Sequence, residues 1–317
     1  NLSESSPVTG VAESDTHVYA SIGKIARRTK ASTDWNGVGA PSGISSPISV
    51  GFVQLGPPSA RSYYAAFNSQ EGSNFGLFEM SPGTDDVTWT RRDISYAAGN
   101  TVREIASLMG IDTDGDGHED ELYASVRSDS TNDSPRFVLL RHPGDIGEGV
   151  SETVIQFNVR NLVDGSTDTE TEVDQMVDAA YHPGSDTAWF VADGGWLYTL
   201  PRSGEIGTAL TGTSAAEYPE ADGTVGKGFS GLLAVDMGVL EGTGSAGTTA
   251  LFVSDGEGRV WVTTDGGGSW SFKDVSGRAL TDMVWIPRAG EDGAGALLVG
   301  TRPVVNRLSS AQGYYEV

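Results

Sequence analysis

Residues 250–264 read ALFVSD-GEG-RVWVTT, two runs of alternating large apolar residues joined by a turn that holds Asp255 and Gly256. Period-two alternation sends successive side chains to opposite faces of an extended strand, and Val, Phe, Trp and Thr suit a pleated surface. The stretch predicts a β-hairpin, with Asp and Gly at the turn because they reach positive φ cheaply. The same text recurs along the chain. First members read HVYASI (17–22), SYYAAF (62–67), ELYASV (121–126), AWFVAD (188–193) and ALLVGT (296–301). Their partners read KIARRT (24–29), GLFEMS (76–81), RFVLLR (136–141), WLYTLP (196–201) and VVNRLS (304–309), and one further turn is Asp193-Gly194-Gly195.

Ahead of each pair lies another apolar run: 8–14, 48–55, 102–111, 173–183, 229–240 and 279–287. Behind each comes a shorter segment with an aromatic or apolar centre, at 34–35, 87–89, 154–157, 209–210, 269–272 and 314–317. The chain is therefore six copies of a four-strand unit A–B–C–D, bounded at about 8–37, 43–95, 101–160, 171–212, 229–276 and 279–317. Four short antiparallel strands cannot bury both faces alone, whereas six such sheets arranged radially can. An open sandwich would give similar strands without this four-beat order. The prediction is an all-β, six-bladed β-propeller of four-stranded antiparallel blades, one domain over 1–317. The copies fall in register from both ends, so the ring is expected to close without borrowing an N-terminal strand.

The 317 residues carry 43 acidic and 20 basic side chains, a net charge of -23. Recognition of nucleic acid or anionic lipid by bulk attraction needs surplus Lys and Arg, and is excluded as the main activity. Lys occurs only at Lys24, Lys30, Lys227 and Lys273, and Asp outnumbers Glu by 25 to 18. Two settings fit. One is a halophilic surface, where salt screens self-repulsion and hydrated carboxylates keep the protein soluble; the other is an ordinary acidic secreted protein from a GC-rich genome. There is no cysteine, hence no disulfide framework and no thiolate metal site. No run of about 18 apolar residues occurs, so no membrane insertion by a helix is expected. Asn1 in place of Met is what a processed end or an internal start gives. The sequons Asn1-Leu2-Ser3 and Asn132-Asp133-Ser134 are compatible with an extracellular, cell-surface or virion-surface location.

Two motifs carry chemistry. Between strands A and B of the third copy, Asp112, Asp114, Asp116 and Asp120 occupy positions 1, 3, 5 and 9 of a loop with Gly117 at position 6. Such spacing wraps a hard cation in oxygen, and the backbone carbonyl of His118 at position 7 completes the set. Position 12 is Tyr123, already in a predicted strand, so this is not an EF-hand. The loop resembles the calcium hairpin of FG-GAP propellers such as integrin α-subunits, D-x-D-x-D-G-x-x-D followed by a strand. The resemblance implies a structural Ca²⁺, and Mg²⁺ suits the loop less because it keeps more of its waters. The alternative is a hydrated acidic turn. Between strands C and D of the fifth copy, Thr263, Asp265, Gly267, Ser269 and Trp270 match the Asp-box of BNR repeats, S/T-x-D-x-G-x-S/T-W, as in sialidases, sortilin-like receptors and photosystem assembly propellers. In that family the Asp braces the C–D turn through backbone N–H groups and the Trp packs between sheets. Asp34-Trp35 and Asp86-Val87-Thr88-Trp89 read as eroded versions.

In propellers the A–B and C–D connections share one face and the B–C and D–A connections the other, where family resemblance places ligands. The longest connections on that second face are predicted at 68–75, 127–135, 158–172 and 211–228, carrying Asp164, Asp168, Glu217, Tyr218, Glu220 and Asp222 as candidate binding residues. The alternative is that they are solvated connections.

Sialidase resemblance would require three converging arginines, a Tyr–Glu pair and an acidic residue. Arg27-Arg28, Arg91-Arg92 and Tyr315-Glu316 are present, but the family's F/Y-R-I-P text is not, and Lys24-Ile25-Ala26-Arg27 departs from it. In a strand one member of each Arg doublet is expected to face solvent. His17, His118, His142 and His182 form no metal or hydrolase pattern, and His142 and His182 each precede Pro-Gly as loop punctuation. The resulting expectation is a calcium-stabilised recognition or assembly module for a glycan or protein partner on the B–C/D–A face, part of a larger assembly such as a virion spike or fibre. A glycan-active hydrolase or lyase on the same fold is the alternative, and a BNR-type assembly factor the third reading.

Overall fold

The computed structural model describes residues 9–70, 74–83, 86–92, 101–113, 118–129, 135–143, 155–160, 167–170, 176–182, 186–192, 196–201, 210–217, 229–236, 249–264, 270–275, 280–286, 296–301 and 314–316. All of their regular structure is β, and it falls into two compact units.

The first unit opens with the antiparallel sheet β1 (Gly10–Glu13), β2 (His17–Ser21), β3 (Ile25–Thr29) and β4 (Asn36–Gly37), in that order. A second sheet follows the same order with β5 (Pro47–Leu55), β6 (Ser62–Ser69), β7 (Phe75–Pro82) and β8 (Val87–Arg92). The third runs β9 (Thr101–Ile111), β10 (Glu121–Asp129), β11 (Pro135–Pro143) and then β12 (Ile155–Arg160), which meets β11 at Leu139↔Ile155. In the second unit the far end of β12 pairs with β13 (Thr167–Glu170). There β14 (Met176–His182), β15 (Thr187–Ala192), β16 (Trp196–Pro201) and β17 (Leu210–Glu217) form a run whose last strand neighbours β12 in sheet order. The order repeats in β18 (Phe229–Asp236), β19 (Thr249–Asp255), β20 (Arg259–Thr263) and β21 (Ser271–Asp274). The last sheet is β22 (Leu280–Ile286), β23 (Ala296–Thr301) and β24 (Tyr314–Glu316).

Alternation explains how the sheets stack. Along β6, Tyr63, Ala65 and Phe67 point into a core shared with the first sheet, including Tyr19, Ile25, Phe52 and Phe78. The intervening Tyr64 and Ala66 point into a core shared with the third, including Leu77, Ile105, Leu122 and Val126. The second sheet is thus apolar on both faces, and each large side chain buried there contributes about 1.5–3 kcal/mol. In the second unit Trp261 packs with Trp189, Val191 and Leu251, while its neighbour Val260 packs with Leu280, Leu297 and Val299. Within each unit, first strands lie on first strands: β1 on β5 and β5 on β9, then β14 on β18 and β18 on β22.

A feature that alternation hides recurs in those first strands. Pairing with the second strand skips one residue in β5 (between Ser49 and Gly51), β14 (between Met176 and Asp178), β18 (between Phe229 and Gly231) and β22 (between Leu280 and Asp282), and two in β9 (between Val102 and Glu104 and between Ile105 and Ser107). Each is a β-bulge, which bends the strand and leaves backbone groups off the ladder. Where the partners are described, the preceding sheet takes up those groups. Ser49 N–H donates to the Gly23 carbonyl (2.9 Å) in the β2–β3 turn, where Gly23 has a φ of 78°. Asn68, near the end of β6, does the same for β9 with its side chain: Nδ2 donates to the Ile105 carbonyl (2.7 Å) and Oδ1 accepts from Ile105 N–H (3.0 Å). At these two junctions the second strand, or the turn after it, clasps the next sheet's bulge.

The clasp needs close approach. A Cβ on Gly51 would stand 2.8 Å from the Leu108 Cβ and 2.9 Å from the Leu108 backbone nitrogen, and neither can swing aside. Gly51→Ala is expected to lower stability by about 1–3 kcal/mol, the range for overpacking. The entropy that alanine removes from the unfolded chain offsets only about 0.4–1 of that. Denaturant midpoints check it; an unchanged midpoint would show that β5 and β9 are not pressed together here.

Several expected boundaries shift. The fourth strand of the first sheet is Asn36–Gly37, just past the expected Asp34-Trp35. The expected loops 158–172 and 211–228 are in part strands, β12 with β13 and β17. Polar and small residues such as Thr167-Asp168-Thr169 and Thr211-Gly212-Thr213 carry no apolar alternation, so backbone pairing there is invisible in composition. The strand beside β23 is Tyr314–Glu316, expected one place further out; the expected partner at 304–309 lies outside the described residues. Two β-rich runs following one strand compete for the same edge, and alternation does not choose between them.

Candidate functional site

The expected cation loop joins β9 to β10, as its placement between the first two strands required. Ile111 pairs with Glu121, so Asp112 and Asp120 follow as opposed residues at the mouth of the hairpin. Asp120 N–H donates to the Ile111 carbonyl (2.8 Å), and Asp120 Oδ2 accepts from Thr113 N–H (2.9 Å) and Thr113 Oγ1 (2.7 Å). Opposed like charges are destabilising across a ladder. A divalent cation between Asp112 and the other oxygen of Asp120 would reverse that sign, and both are hard-oxygen donors of the kind Ca²⁺ takes. The loop is docked on the second sheet, because Gly56 N–H donates to the Glu119 carbonyl (2.8 Å). Asp114, Asp116 and Gly117 lie outside the described residues. Among the described residues, no group of three or more His, Asp or Glu is close enough to hold a metal.

The Asp-box candidate joins β20 to β21. Thr263 is buried at its start, and Trp270 at its end packs on the core of Trp189, Leu251 and Trp261. Asp265, Gly267 and Ser269 lie outside the described residues. The related text at Asp86–Trp89 is visible in full. Asp86 Oδ1 accepts from Val87 N–H (2.8 Å) and Gly39 N–H (3.3 Å), and the Trp89 indole donates to the Gly39 carbonyl (2.6 Å) while its ring meets Phe67 edge-on at 5.3 Å. One carboxylate and one indole thus staple the β7–β8 turn to the segment after β4.

The Val87 N–H, then the Gly39 N–H, hold the Asp86 carboxyl below its ordinary 3.8. A depressed carboxyl stabilises the fold above the unfolded value and loses that contribution as pH falls through the folded one. The gap in urea midpoint between the wild type and Asp86→Ala is therefore expected to be full at pH 6 and to close below pH 3.8. A gap constant from pH 6 to pH 2.5 would refute the staple.

One heavily bonded carboxylate is missed by reading by residue type. Asp255, 1% exposed at the end of β19, was assigned only to turn geometry. Its Oδ1 accepts from Glu257 N–H (2.9 Å) and Arg259 N–H (2.9 Å), and its Oδ2 accepts from Arg259 Nε (2.8 Å) and Trp261 Nε1 (3.1 Å). The positive φ of the turn belongs to Gly258, at 93°, and not to Asp255 or Gly256. Arg259 then lies over the rings of Trp261 (5.5 Å) and Phe272 (5.9 Å), which are 4.6 Å apart. The available signal was the D-x-x-x-R-x-W spacing, which brings a carboxylate, a guanidinium and an indole N–H to one end of a hairpin.

The arginine doublets anchor structure. Arg27 donates to the Gly83 carbonyl (3.1 Å), and Arg28 donates to the Ser32 carbonyl (2.8 Å) under the Trp35 ring. Arg91 lies over Phe78 and donates to the Phe75 carbonyl (2.9 Å), and Arg92 pairs with Glu79. Arg91 is exposed and Arg92 half-buried, as alternation predicts, whereas Arg27 and Arg28 are both half-buried. His142 and His182 close strands β11 and β14 instead of sitting in loops. Burial beside Trp189 pushes the His182 pKa down. Of the candidate binding residues, Asp168 lies in β13 and Glu217 ends β17, while Asp164, Tyr218, Glu220 and Asp222 lie outside the described residues. Charge is unevenly placed: residues 1–92 hold seven basic and eight acidic side chains, residues 93–317 hold 13 and 35.

Repeated antiparallel sheets stacked through their first strands define an all-β protein of the β-propeller class. Solved propellers share the fold. BBS1N in complex with ARL6DN, soaked with lead, superposes with a TM-score of 0.51 at 11% identity, over 99% of this chain and 78% of that one. YCF48 from Cyanidioschyzon merolae gives 0.51 at 12% identity, over 98% and 82%. No protein-family model matches the chain, and no curated protein matches it in sequence.

Proposed function

We propose that the chain is a recognition or assembly module whose partner is a protein, with no chemistry of its own. The observation that carries this reading is a propeller matched over 99% of this chain and solved in complex with a protein, ARL6DN. Charge placement adds where contact is cheapest. Against another acidic surface, residues 93–317 repel and residues 1–92 are near neutral, so the first two sheets are the part that can approach. The 112–120 loop takes a structural Ca²⁺, and Asp265 braces its turn as Asp86 does. The acidity and the two sequons fit an extracellular, cell or virion surface, and in that setting a glycan on the partner extends the contact to the B–C/D–A connections. The test is binding of the isolated chain to surface proteins with and without enzymatic deglycosylation, repeated after exchanging 218–228 for a Gly-Ser linker of equal length. Binding that survives deglycosylation supports a protein partner. Binding lost with the sugar makes the partner a glycan, and turnover of that sugar would replace the module with a hydrolase.

A further inference from the structure

Asn36 and Gly37, which form β4, are the one place in the chain where glycine follows asparagine, and both are exposed. The register fixes which way their backbone groups turn. β3 and β4 pair Ala26 with Gly37 and Arg27 with Asn36, and just beyond them Val38 N–H donates to the Ile25 carbonyl (3.0 Å). Bonded and open positions alternate along an antiparallel ladder, so Ile25–Val38 and Arg27–Asn36 are bonded and Ala26–Gly37 is open. The other edge of β3 agrees. Ile22 N–H donates to the Lys24 carbonyl (2.9 Å) and Lys30 N–H to the Thr16 carbonyl (2.9 Å), and the same alternation makes Ala20–Ala26 a bonded position. Ala26 thus turns its backbone groups to β2. Gly37 N–H points away from β3, and β4 is the last strand of its sheet.

An amide nitrogen off the ladder, one bond beyond an asparagine, is a nucleophile beside its electrophile. Within a sheet the reaction is blocked, because the N–H is bonded and the backbone cannot turn to bring nitrogen to Cγ. Neither block holds at this edge. A Cβ on Gly37 would meet nothing within 4 Å, so the space the turning backbone needs is open. We infer that Asn36 is a modification site, at which the folded chain deamidates itself. Gly37 N gives its proton to solvent and bonds to Asn36 Cγ; the Cγ–Nδ2 bond breaks, and Nδ2 takes a proton from solvent and leaves as ammonia. One water then opens the five-membered imide. Attack at the side-chain carbonyl gives aspartate, and attack at the main-chain carbonyl gives isoaspartate, whose backbone is longer by one atom. That atom falls between two anchors: Trp35, 5.5 Å from the Arg28 guanidinium, and Gly39, held by Asp86 and the Trp89 indole. With both sides fixed, the isoaspartate product gives up the Arg27–Asn36 pairing. The aspartate product keeps it and sets a carboxylate opposite Arg27, a favourable cross-strand pair.

The full chain, incubated at mildly alkaline pH both folded and unfolded in urea, is read by peptide mass mapping. Asn36 is expected to be the first asparagine of the folded chain to lose ammonia, at a rate within an order of magnitude of that in the unfolded chain. Gly37→Ala is expected to slow the loss by an order of magnitude or more, because the added Cβ restricts the backbone beside the attacking nitrogen. The open space and the absence of a positive φ at Gly37 leave that variant folded. Amide hydrogen exchange tests the geometry separately: Gly37 N–H is expected to exchange fast while Val38 N–H is protected. A folded rate lower than the unfolded one by more than an order of magnitude, or a Gly37 N–H as protected as that of Val38, means that the strand shields the site and overturns it.

Discussion

Replacing Asp255 by alanine is expected to lower stability by about 3–5 kcal/mol, the range for removing one partner of a buried charge pair. The carboxylate is 1% exposed and accepts from four donors, two of them backbone N–H groups of the β19–β20 turn. Alanine leaves the Arg259 guanidinium, 13% exposed, with only the exposed Glu257 carboxylate (2.5 Å) as counter-charge, and the Trp261 indole N–H without Asp255 as acceptor. Asp255→Asn keeps the shape but only one accepting atom. That atom can serve the two backbone donors or the two side-chain donors, so the amide is expected to recover part of the loss and no more. Adding Arg259→Met to the alanine variant should restore stability, because a missing ion pair costs less than half of one. Guanidinium unfolding of the four proteins tests the set. A loss below about 1 kcal/mol in Asp255→Ala, or no recovery in the double variant, would mean that solvent reaches the site and screens it.

Calcium is expected to raise the unfolding midpoint, and a chelator to remove the increase. A ligand that binds only the folded state stabilises it by about 2.7 kcal/mol at a hundredfold excess over its Kd. Asp112 and Asp120 follow the last pair of the β9–β10 ladder, so a cation held by both would join the two strands at the mouth of the hairpin. Because Gly56 and Glu119 join the loop to the second sheet, the effect should appear in global unfolding and not only in the loop. Asp114→Ala should abolish the calcium response and sit near the chelated wild type. Magnesium at equal concentration should stabilise less, since it gives up its waters reluctantly. If neither chelation nor Asp114→Ala moves the midpoint, the loop is a solvated acidic turn.

What alternation could reveal and what it could not divides cleanly by physics. Strands such as Ser62–Ser69 and Thr249–Asp255 are legible because both faces are buried, which forces apolar residues onto successive positions. The outermost strands are not. Ser271–Asp274 is exposed along its whole length, and Asn36–Gly37 is two exposed residues, so neither position had to be apolar. A bulge is hidden for the opposite reason: Val50 and Val177 look like ordinary core residues, and only the pairing shows that one residue has been skipped. Carboxylates divide the same way. Spacing singled out the acidic loop at 112–120, where many carboxylates stand together in sequence. It passed over Asp255, whose partners are donors and whose importance lies in what surrounds it.

The clasps at Gly23 and Asn68 run in one direction only. In both, the earlier part of the chain grips the later, and the later strand has nothing to seat its bulge against until the earlier turn exists. During synthesis from the N-terminus the first sheet is therefore made before the bulge in the second that it grips, and the second before the bulge in the third. A protease cut in the connection 38–46 would leave the Gly23–Ser49 grip in place but divide the segment that Asp86 and Trp89 hold at Gly39.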